Sequence, residues 1–246
     1  MSTLPITSPA SKAVESEAGA SLLAGGGPWR GIVIKVGLLA LLFAGLAIID
    51  RPVYHALFIK DWSTRYAQKD WVIFFRTMGY LPLWIAVALV IEGGQRAMAT
   101  RGPVLPRLPV HGPSGLAFPR TVLPRHAGLL LLASATLAGL LAEVLQEITR
   151  RHRPSITNDG AYVFDWTAGV VAHRGLGLAS SHVAVLFGVA FMLWRFSPRM
   201  GWPMMVLGVG CGLTRMWAGA HFLSDCVAGV LIAYFTAKAL YRKSAR

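Results

Sequence analysis

Charged residues are scarce in this sequence, and cysteines are scarcer still. Only 14% of the 246 residues are Asp, Glu, Lys or Arg, against roughly 25% in a typical soluble domain, which argues against an ordinary soluble protein. Cys211 and Cys226 both lie in apolar runs, and two cysteines are too few for a disulfide-rich scaffold. Hydrophobic residues make up 54% of the chain, and this abundance of Leu, Val, Ala and aromatic residues excludes disorder for most of it.

Acidic residues are also few. The chain has 11 Asp and Glu against 24 Lys and Arg, which gives a net charge of +13. A basic excess is typical of proteins that bind nucleic acid and of many membrane proteins. Here the basic residues lie between long apolar runs, so a membrane explains them better, and we expect no nucleic-acid partner.

Six stretches of the sequence are apolar enough for a membrane-spanning helix, which needs about 20 such residues. The fourth stretch is the cleanest, since no Asp, Glu, Lys or Arg falls between Gly175 and Trp194. So many apolar runs make a large soluble helical core the weaker alternative. We predict an all-α, polytopic membrane protein, a bundle of six transmembrane helices at approximately 31–50, 78–94, 127–148, 177–194, 201–218 and 222–241.

The first 29 residues differ from the rest of the chain. They are small and polar and end in Gly25-Gly26-Gly27-Pro28. We expect a flexible cytoplasmic tail at 1–29, followed by one six-span domain at 30–246. No basic segment precedes an early apolar core, so no signal peptide is expected.

The distribution of Lys and Arg predicts the orientation. A cytoplasmic N-terminus places the Arg-rich segment after the second span and the basic C-terminus inside, as the positive-inside rule prefers. The bias is modest, and it sharpens if the arginines from Arg150 onward serve a site rather than topology. We expect a multi-pass protein of the bacterial inner membrane, whose first, third and fifth spans end at the periplasmic face.

Four groups of polar residues fall at the outer ends of the predicted spans. Simple alternation of the spans puts all four groups on one membrane face, although about 70 residues separate the first from the last. Helix packing in a bundle can bring them together. The groups are Arg150-Arg151-His152-Arg153-Pro154, Ala179-Ser180-Ser181-His182, Thr214-Arg215 and His221-Phe222-Leu223-Ser224-Asp225.

These residue types suit phosphoryl transfer. Arginines are bidentate donors that match phosphate oxygens, and a helix that begins near Ser180 directs free backbone N–H groups at an anion. His221 and Asp225 are four residues apart and share one face of a helix, so the carboxylate can orient the imidazole as a nucleophile. His182 is a candidate to protonate a leaving oxygen.

Each feature also has a plain structural explanation. The arginines after the third span are typical of interfacial charges that bind lipid headgroups, and Ser180 is typical of a helix N-cap. His152 and His173 lie in the outer loop, where we expect them to be solvated. His182 is harder to explain in this way, because ionisable residues inside spans tend to be functional. The conjunction of all four groups on one face favours a catalytic site.

The four groups resemble the motifs of the type 2 phosphatidic acid phosphatase (PAP2) superfamily of membrane lipid phosphatases. The family's first motif is Lys, six residues, then Arg-Pro, and its second is Pro-Ser-Gly-His. Its third is Ser-Arg, five residues, His, three residues, Asp. Arg153-Pro154 is similar to the end of the first motif and Ala179-Ser180-Ser181-His182 to the second. Thr214-Arg215, His221 and Asp225 are similar to the third, with its spacing intact.

The resemblance implies a six-helix bundle of the PAP2 type and a reaction that needs no metal or cofactor and passes through a phosphohistidine. His221 attacks phosphorus in that scheme, Asp225 orients His221, and His182 protonates the leaving group. The sequence itself offers no convincing metal-ligand cluster. The resemblance also implies phosphate binding by Arg153, Arg215, Ser180 and the amide of Ser181.

The sequence departs from the family's motifs at three main positions. Gln146 stands where the family has Lys, Ala179 replaces Pro, and Ser181 replaces Gly. Loss of the Lys removes one phosphate-binding charge. Nothing in the sequence breaks the third helix in this region, so Arg150 is expected one turn beyond Gln146 on the same face. We therefore predict that Arg150 joins the phosphate site in place of the missing Lys.

The resemblance implies an enzyme that hydrolyses phosphate monoesters or diphosphates on lipids at the outer face of the inner membrane. Candidate substrates are lipid A, its 1-phosphate especially, undecaprenyl diphosphate and phosphatidyl phosphates. The pentapeptide from His221 to Asp225 resembles that of bacterial lipid A phosphatases. Two alternatives stay open: a lipid-to-lipid phosphotransferase with the same phosphohistidine, and a non-enzymatic membrane protein that binds lipid phosphates. The partners expected in every case are membrane lipids.

The predicted orientation can be tested by thiol labelling. We expect residues 150–175 to face the periplasm and residues 95–126 to face the cytoplasm. A single cysteine placed in one segment and then in the other should react oppositely with a membrane-impermeant thiol reagent applied to intact cells. The chain without an added cysteine serves as the blank. Labelling of 95–126 from outside contradicts both the orientation and an outer-face site.

Overall fold

The structure is a computed structural model that describes residues 28–100, 124–167 and 175–244. Within these ranges the secondary structure is helical, apart from two isolated β-bridges that join Arg151 to Phe164 and His152 to Leu176. The prediction of an all-α chain is therefore confirmed for the described residues. The predicted tail lies outside them except for its last two residues.

The described chain forms α-helices that we number in order. Two short 3₁₀ turns, Pro154–Ile156 and Asn158–Gly160, lie between α5 and α6. The helices are α1 (Pro28–Leu57), α2 (Trp62–Arg65), α3 (Asp70–Met78), α4 (Leu81–Thr100), α5 (Ala127–Thr149), α6 (Ser181–Phe196), α7 (Pro198–Trp217) and α8 (Leu223–Ser244).

Local signals explain where the central helices begin and end. α5 is rich in Ala and Leu, which are strong helix formers, and it ends where Arg150 adopts a left-handed conformation with φ of 50°. α6 follows an extended Ser180 and ends at Phe196, and Pro198 opens α7 at the position where a missing N–H costs nothing.

The chain divides into two compact units, Met1–Leu46 and Ala47–Arg246. The boundary falls inside α1. The second unit contains the C-terminal end of α1 and every predicted site residue, so the site can be described within this unit alone.

Three described helices are long and apolar enough to cross a membrane: Trp29–Leu57, Ala127–Thr149 and Leu223–Ser244. A fourth span results if Asp70–Met78 and Leu81–Ala99 count as one span bent by 66°. Each of the six predicted segments lies largely on a helix, yet the count of six spans is not confirmed. α6 is apolar but has only 16 residues, because the segment before Ser181 is not helical. α7 is a continuous helix, but it contains several glycines and carries an arginine near each end.

α6 is the centre of the second unit, and it packs against α5, α7 and α8. Every side chain from Val183 to Ala190 is buried. Because lipid is as apolar as a protein interior, helices in a membrane associate through close packing and interhelical hydrogen bonds rather than through the hydrophobic effect. The small residues of this unit serve that purpose, as the contacts between α5 and α6 illustrate.

The register between α5 and α6 is antiparallel and tight. The Ser134 hydroxyl donates a hydrogen bond to the Gly188 carbonyl at 2.8 Å. Nearer the C-terminal end of α5, a Cβ on Gly139 would lie 2.8 Å from a methyl group of Val185, so glycine allows this close approach. Nearer still, the Gln146 amide donates to the Ala179 carbonyl at 2.6 Å. These three contacts fix which residues of the two helices stand opposite each other.

Candidate active site

The four predicted polar groups meet at one end of the helical unit. Main-chain hydrogen bonds link the segments that carry them. The amide of Gly177 donates to the Arg151 carbonyl at 2.7 Å, and the amide of Ser180 donates to the Asp225 carbonyl at 3.0 Å. The loop after α5, the segment before α6 and the start of α8 are thereby joined. The convergence expected from the sequence is what the geometry shows.

His221 lies in the short segment between α7 and α8 and is 97% buried, with 3% of its surface exposed. Gly219, whose φ of +62° favours glycine, turns the chain into this segment. The Nδ1 atom of His221 lies 2.9 Å from the Gly177 carbonyl oxygen. A carbonyl only accepts hydrogen bonds, so Nδ1 must carry the proton. The neutral ring therefore presents a bare Nε2, which is the form that a nucleophile requires.

Burial lowers the pKa of His221 below its ordinary value, and the charges of Arg215 and Arg153 lower it further, although Asp225 acts in the opposite direction. A buried imidazole with a lowered pKa is neutral at neutral pH, because loss of hydration penalises the protonated form. The electrostatic environment and the Gly177 contact therefore favour the same state of His221.

Asp225 is fully buried in the first turn of α8. Its Oδ2 atom lies 3.6 Å from Nδ1 of His221, beyond hydrogen-bonding distance. The same oxygen accepts the N–H of Phe222 at 2.7 Å. Asp225 thus sits beside the imidazole as a negative charge, while the Gly177 carbonyl makes the direct hydrogen bond that orients the ring.

Arg151 supplies the partner of Asp225, and the sequence did not reveal it. Its guanidinium bonds to Oδ1 of Asp225 and donates to the Ser224 hydroxyl at 2.8 Å. The group is buried and lies 4.7 Å from the ring centre of Tyr162. Among the arginines after α5, this one is a buried structural charge rather than a headgroup contact.

The hydrogen bonds of Arg151 and Ser224 continue to Asp50, in the C-terminal half of α1. The Asp50 carboxylate is fully buried and accepts the N–H of Ser224 at 2.9 Å. It also accepts hydrogen bonds from the hydroxyls of Ser224 and Tyr162. Asp50 therefore holds the start of α8, two residues from His221, and every bond it makes is to a neutral donor.

Three other arginines surround a cavity of about 510 Å³: Arg76, Arg153 and Arg215. Within the described ranges, none of the three has a carboxylate within ion-pair distance. Nε of Arg153 donates to the Leu176 carbonyl at 3.0 Å, whereas Nε of Arg215 is buried without a partner. Arg76 is exposed and Arg153 and Arg215 are partly buried. An anion in this cavity would meet three guanidiniums that no carboxylate of the described residues neutralises, which makes it a candidate anion site.

The N-terminus of α6 adds neutral donors to this region. Ser180 is fully buried at the N-cap position, but its hydroxyl makes no capping bond and has no partner among the described groups. The first amides of a helix lack intrahelical acceptors and attract anions. The N-cap explanation of Ser180 is therefore not supported, and its free hydroxyl suits a ligand.

His182 is the second residue of α6 and lines a cavity of about 310 Å³ with Arg76, Thr77 and Tyr80. It lies close enough to Arg215, His221 and Arg153 to interact with them electrostatically. Gly79 makes this placement possible, because a Cβ there would lie only 2.8 Å from that of His182. Both predicted catalytic histidines thus lie beside the group of arginines.

Arg150 is placed differently from the expectation. α5 stops at Thr149, and the left-handed Arg150 donates its main-chain N–H to the Gln146 carbonyl at 2.8 Å. The expectation that the helix continues past this point is therefore wrong, while the expected role of Arg150 in phosphate binding stays a prediction. The Arg150 guanidinium lies 3.1 Å from the Glu147 carboxylate. Gln146 is buried and bonds to the Ala179 carbonyl, where it holds the α6 motif segment against α5.

Arg76 is a residue of the candidate site that the sequence analysis did not identify. It lies near the end of α3, and the aromatic residues Trp71, Phe74 and Phe75 beside it in the sequence are typical of an interfacial segment. No motif marks it, and only the packing of α3 against α7 brings it to the cavity.

Two further histidines of the sequence analysis, His152 and His173, fall between α5 and α6 in the sequence. His152 is half-buried rather than fully solvated, and its Nε2 lies 3.8 Å from Asp165, while His173 is outside the described residues. In the described ranges, no group of three or more His, Cys, Asp or Glu side chains is arranged to hold a metal ion.

Comparison with known proteins agrees with this geometry. Residues 127–246 match the family model described as the PAP2 superfamily. The chain is 31% identical over 104 residues to the lipid A 1-phosphatases of Rhizobium etli and Rhizobium johnstonii, which is 42% of this chain and 44% and 42% of those proteins. It is 33% identical over 58 residues to the bacitracin transport permease protein BcrC of Bacillus licheniformis, 24% of this chain and 29% of that protein.

The chain spans less than half the length of the curated relatives it matches. No solved structure matches it. The matched family region runs from the first residue of α5 to the end of the chain, and it contains both histidines, Asp225 and two of the three unpaired arginines. Residues 127–246 of this chain therefore form a domain of the PAP2 superfamily.

Proposed function

We propose that this protein is an integral membrane phosphatase that hydrolyses phosphate monoesters or diphosphates on lipids, through a phosphohistidine intermediate, at the outer face of the bacterial inner membrane. The observation that carries the proposal is the buried imidazole of His221, which donates from Nδ1 to Gly177 and interacts electrostatically with two arginines that line the cavity, Arg153 and Arg215. The family and the names of the relatives support a lipid phosphate as the substrate.

Phosphate binding comes first in this mechanism. Arg76, Arg153 and Arg215 neutralise the charge of the phosphoryl group, and the Ser180 hydroxyl and the first amides of α6 donate to its oxygens. Phosphoryl transfer depends mainly on positioning and on stabilising charge on the equatorial oxygens. These donors are fixed before the substrate arrives, because backbone bonds hold the segments that carry them.

The chemical step is an in-line displacement at phosphorus. Nε2 of His221 donates its electron pair to phosphorus while the bond to the leaving oxygen breaks, and His182 transfers a proton to that oxygen. The imidazole ring gains positive charge as the P–N bond forms. The Asp225 carboxylate, 3.6 Å from Nδ1, stabilises this charge.

Water completes the cycle. His182, now deprotonated, accepts a proton from a water molecule, whose oxygen attacks phosphorus and breaks the P–N bond. Inorganic phosphate leaves, and His221 returns to its neutral form with the Nδ1 proton still directed at Gly177. No step requires a metal ion, so we propose a metal-independent reaction.

The nucleophile can be tested directly. We expect His221→Ala to abolish phosphate release from lipid phosphates in detergent micelles, because the covalent route is lost. Asp225→Asn should retain a small activity, lower by about 10³–10⁴-fold, because it removes the negative charge that stabilises the imidazolium form of His221. Wild-type protein should form an acid-labile phosphoprotein, and its activity should persist in EDTA.

The matched control is His126→Ala, which changes the residue at the opposite end of α5 and should keep activity. Turnover by His221→Ala, or wild-type activity that collapses in EDTA, contradicts the mechanism. Binding of lipid phosphates without turnover supports the non-enzymatic alternative, and transfer of phosphate to a second lipid supports the phosphotransferase. Mass spectrometry of total lipids from cells with and without the gene identifies the natural substrate.

Arg76 is expected to contribute to phosphate binding. A hydrogen bond to a charged group contributes about 1.5–3 kcal/mol, so Arg76→Ala should lower kcat/KM by roughly 10- to 100-fold. Arg65→Ala is the control, since Arg65 is exposed in the same outer segment and does not line the cavity. Equal effects of the two substitutions show that Arg76 acts only as a surface charge.

The pH profile reports the state of His221. Because burial lowers its pKa, the imidazole stays neutral as pH falls through the ordinary histidine range near 6.5, and it becomes protonated only at lower pH. We expect the decline of kcat/KM at acid pH to begin only below about pH 6.5. The decline should appear in the yield of phosphoprotein as well. An acid limb at or above pH 6.5 contradicts this assignment.

A further inference from the structure

A third cavity, of about 270 Å³, lies beside His182 and has no role in the mechanism above. Its lining includes Tyr80, Gly139, Glu143, Ser181 and Val185. No arginine or lysine is among the described residues that line it, in contrast to the phosphate cavity with its three arginines. His182 lines this cavity but not the phosphate cavity.

The register of α5 against α6 puts Glu143 opposite Ser181, in the segment that is similar to the family's second motif. Gly139 contacts Val185, and the two helices run antiparallel. One turn further along α5 is Glu143, and one turn back along α6 is Ser181, so these two residues stand opposite each other. The next contact outward, from Gln146 to the Ala179 carbonyl, continues the same register. Glu143 therefore faces the residue at which this chain departs from the family's Gly.

Glu143 is exposed on a helix that can span a membrane. Within the described chain its carboxylate has no hydrogen-bond or ion-pair partner, unlike that of Glu147 one turn away, which pairs with Arg150 at 3.1 Å. An ionisable side chain in a span is costly unless it faces a polar cavity or a ligand. The cavity beside His182 is largely apolar, but Thr136, Ser181 and His182 give it polar groups near Glu143.

The position of the cavity identifies what would occupy it. In an in-line displacement the leaving group departs on the side opposite the nucleophile, and the group that protonates it must be within reach. His182 is that group, and it borders two cavities, this one and the 310 Å³ cavity that Arg76 also lines. Of these two, the cavity without an arginine among its described lining residues suits a neutral leaving group.

We propose that Glu143 and Ser181 form a leaving-group subsite that accepts a neutral, hydroxyl-bearing leaving group such as a sugar and disfavours an anionic one such as the phosphate of a diphosphate. This inference rests on the proposed function. A carboxylate accepts hydrogen bonds from hydroxyl groups and repels phosphate, and the Ser181 hydroxyl adds a donor and an acceptor. Specificity then comes from an attraction and a repulsion together.

The test compares two substrates with purified full-length protein in detergent micelles. One is a lipid with a glucosamine 1-phosphate, whose leaving group is a sugar. The other is undecaprenyl diphosphate, whose leaving group is a lipid phosphate. We expect the wild type to prefer the sugar phosphate and Glu143→Gln to shift the ratio of kcat/KM values toward the diphosphate by about 10-fold. Glu147→Gln, the matched control, should leave the ratio unchanged.

Glu143→Asp keeps the charge and should keep the preference, which separates a specific effect from a general loss of folded protein. An unchanged ratio in Glu143→Gln, with an active wild type, overturns the subsite and leaves the phosphatase function intact. A wild type that prefers the diphosphate also overturns the subsite. A wild type with no activity on any lipid phosphate overturns the proposed function, and the subsite with it.

Discussion

The buried ion pair between Arg151 and Asp225 is the interaction on which the site depends. It joins the loop after α5 to the first turn of α8, across 74 positions of sequence. Asp225 also accepts the N–H of Phe222, and its carbonyl accepts the amide of Ser180. One residue thus connects the segments that carry His221 and His182. Loss of either charge leaves the other buried and unpaired, which typically costs about 3–5 kcal/mol.

Pairing of Arg151 also decides what the remaining arginines can do. Arg151 is satisfied by Asp225 and Ser224, and Arg150 lies against Glu147. The positive charges that face the cavity are those without a carboxylate in the described ranges: Arg76, Arg153 and Arg215. The anion site arises because carboxylates that neutralise one set of arginines are kept away from the other.

Close packing of small residues places the two histidines relative to this charge. Gly79 allows the end of α3 to approach His182, and Gly229 of α8 lies against the Ser180 carbonyl, where a Cβ would be only 2.8 Å away. Gly139 does the same between α5 and α6. Where hydrophobic burial cannot drive association, such contacts set the positions of helices to within a fraction of an ångström. The same contacts leave Glu143 facing the start of α6.

The sequence by itself determined the helical architecture and predicted most residues of the candidate site, since apolar periodicity and length report directly on helices. The expectation that His221 and Asp225 share one face of a helix is wrong, because α8 begins at Leu223; the two side chains nevertheless lie near each other. The sequence did not show which arginines pair with carboxylates and which line the cavity. Arg150 and Arg151 are adjacent and both buried, and the chain leaves α5 at a left-handed Arg150. Arg151 pairs with Asp225, whereas Arg150 lies against Glu147. Arg76, the Gly177 carbonyl and the position of Glu143 depend on contacts between distant segments. Local pattern cannot encode these, because the partner of a buried charge is set by which helices pack together and in what register.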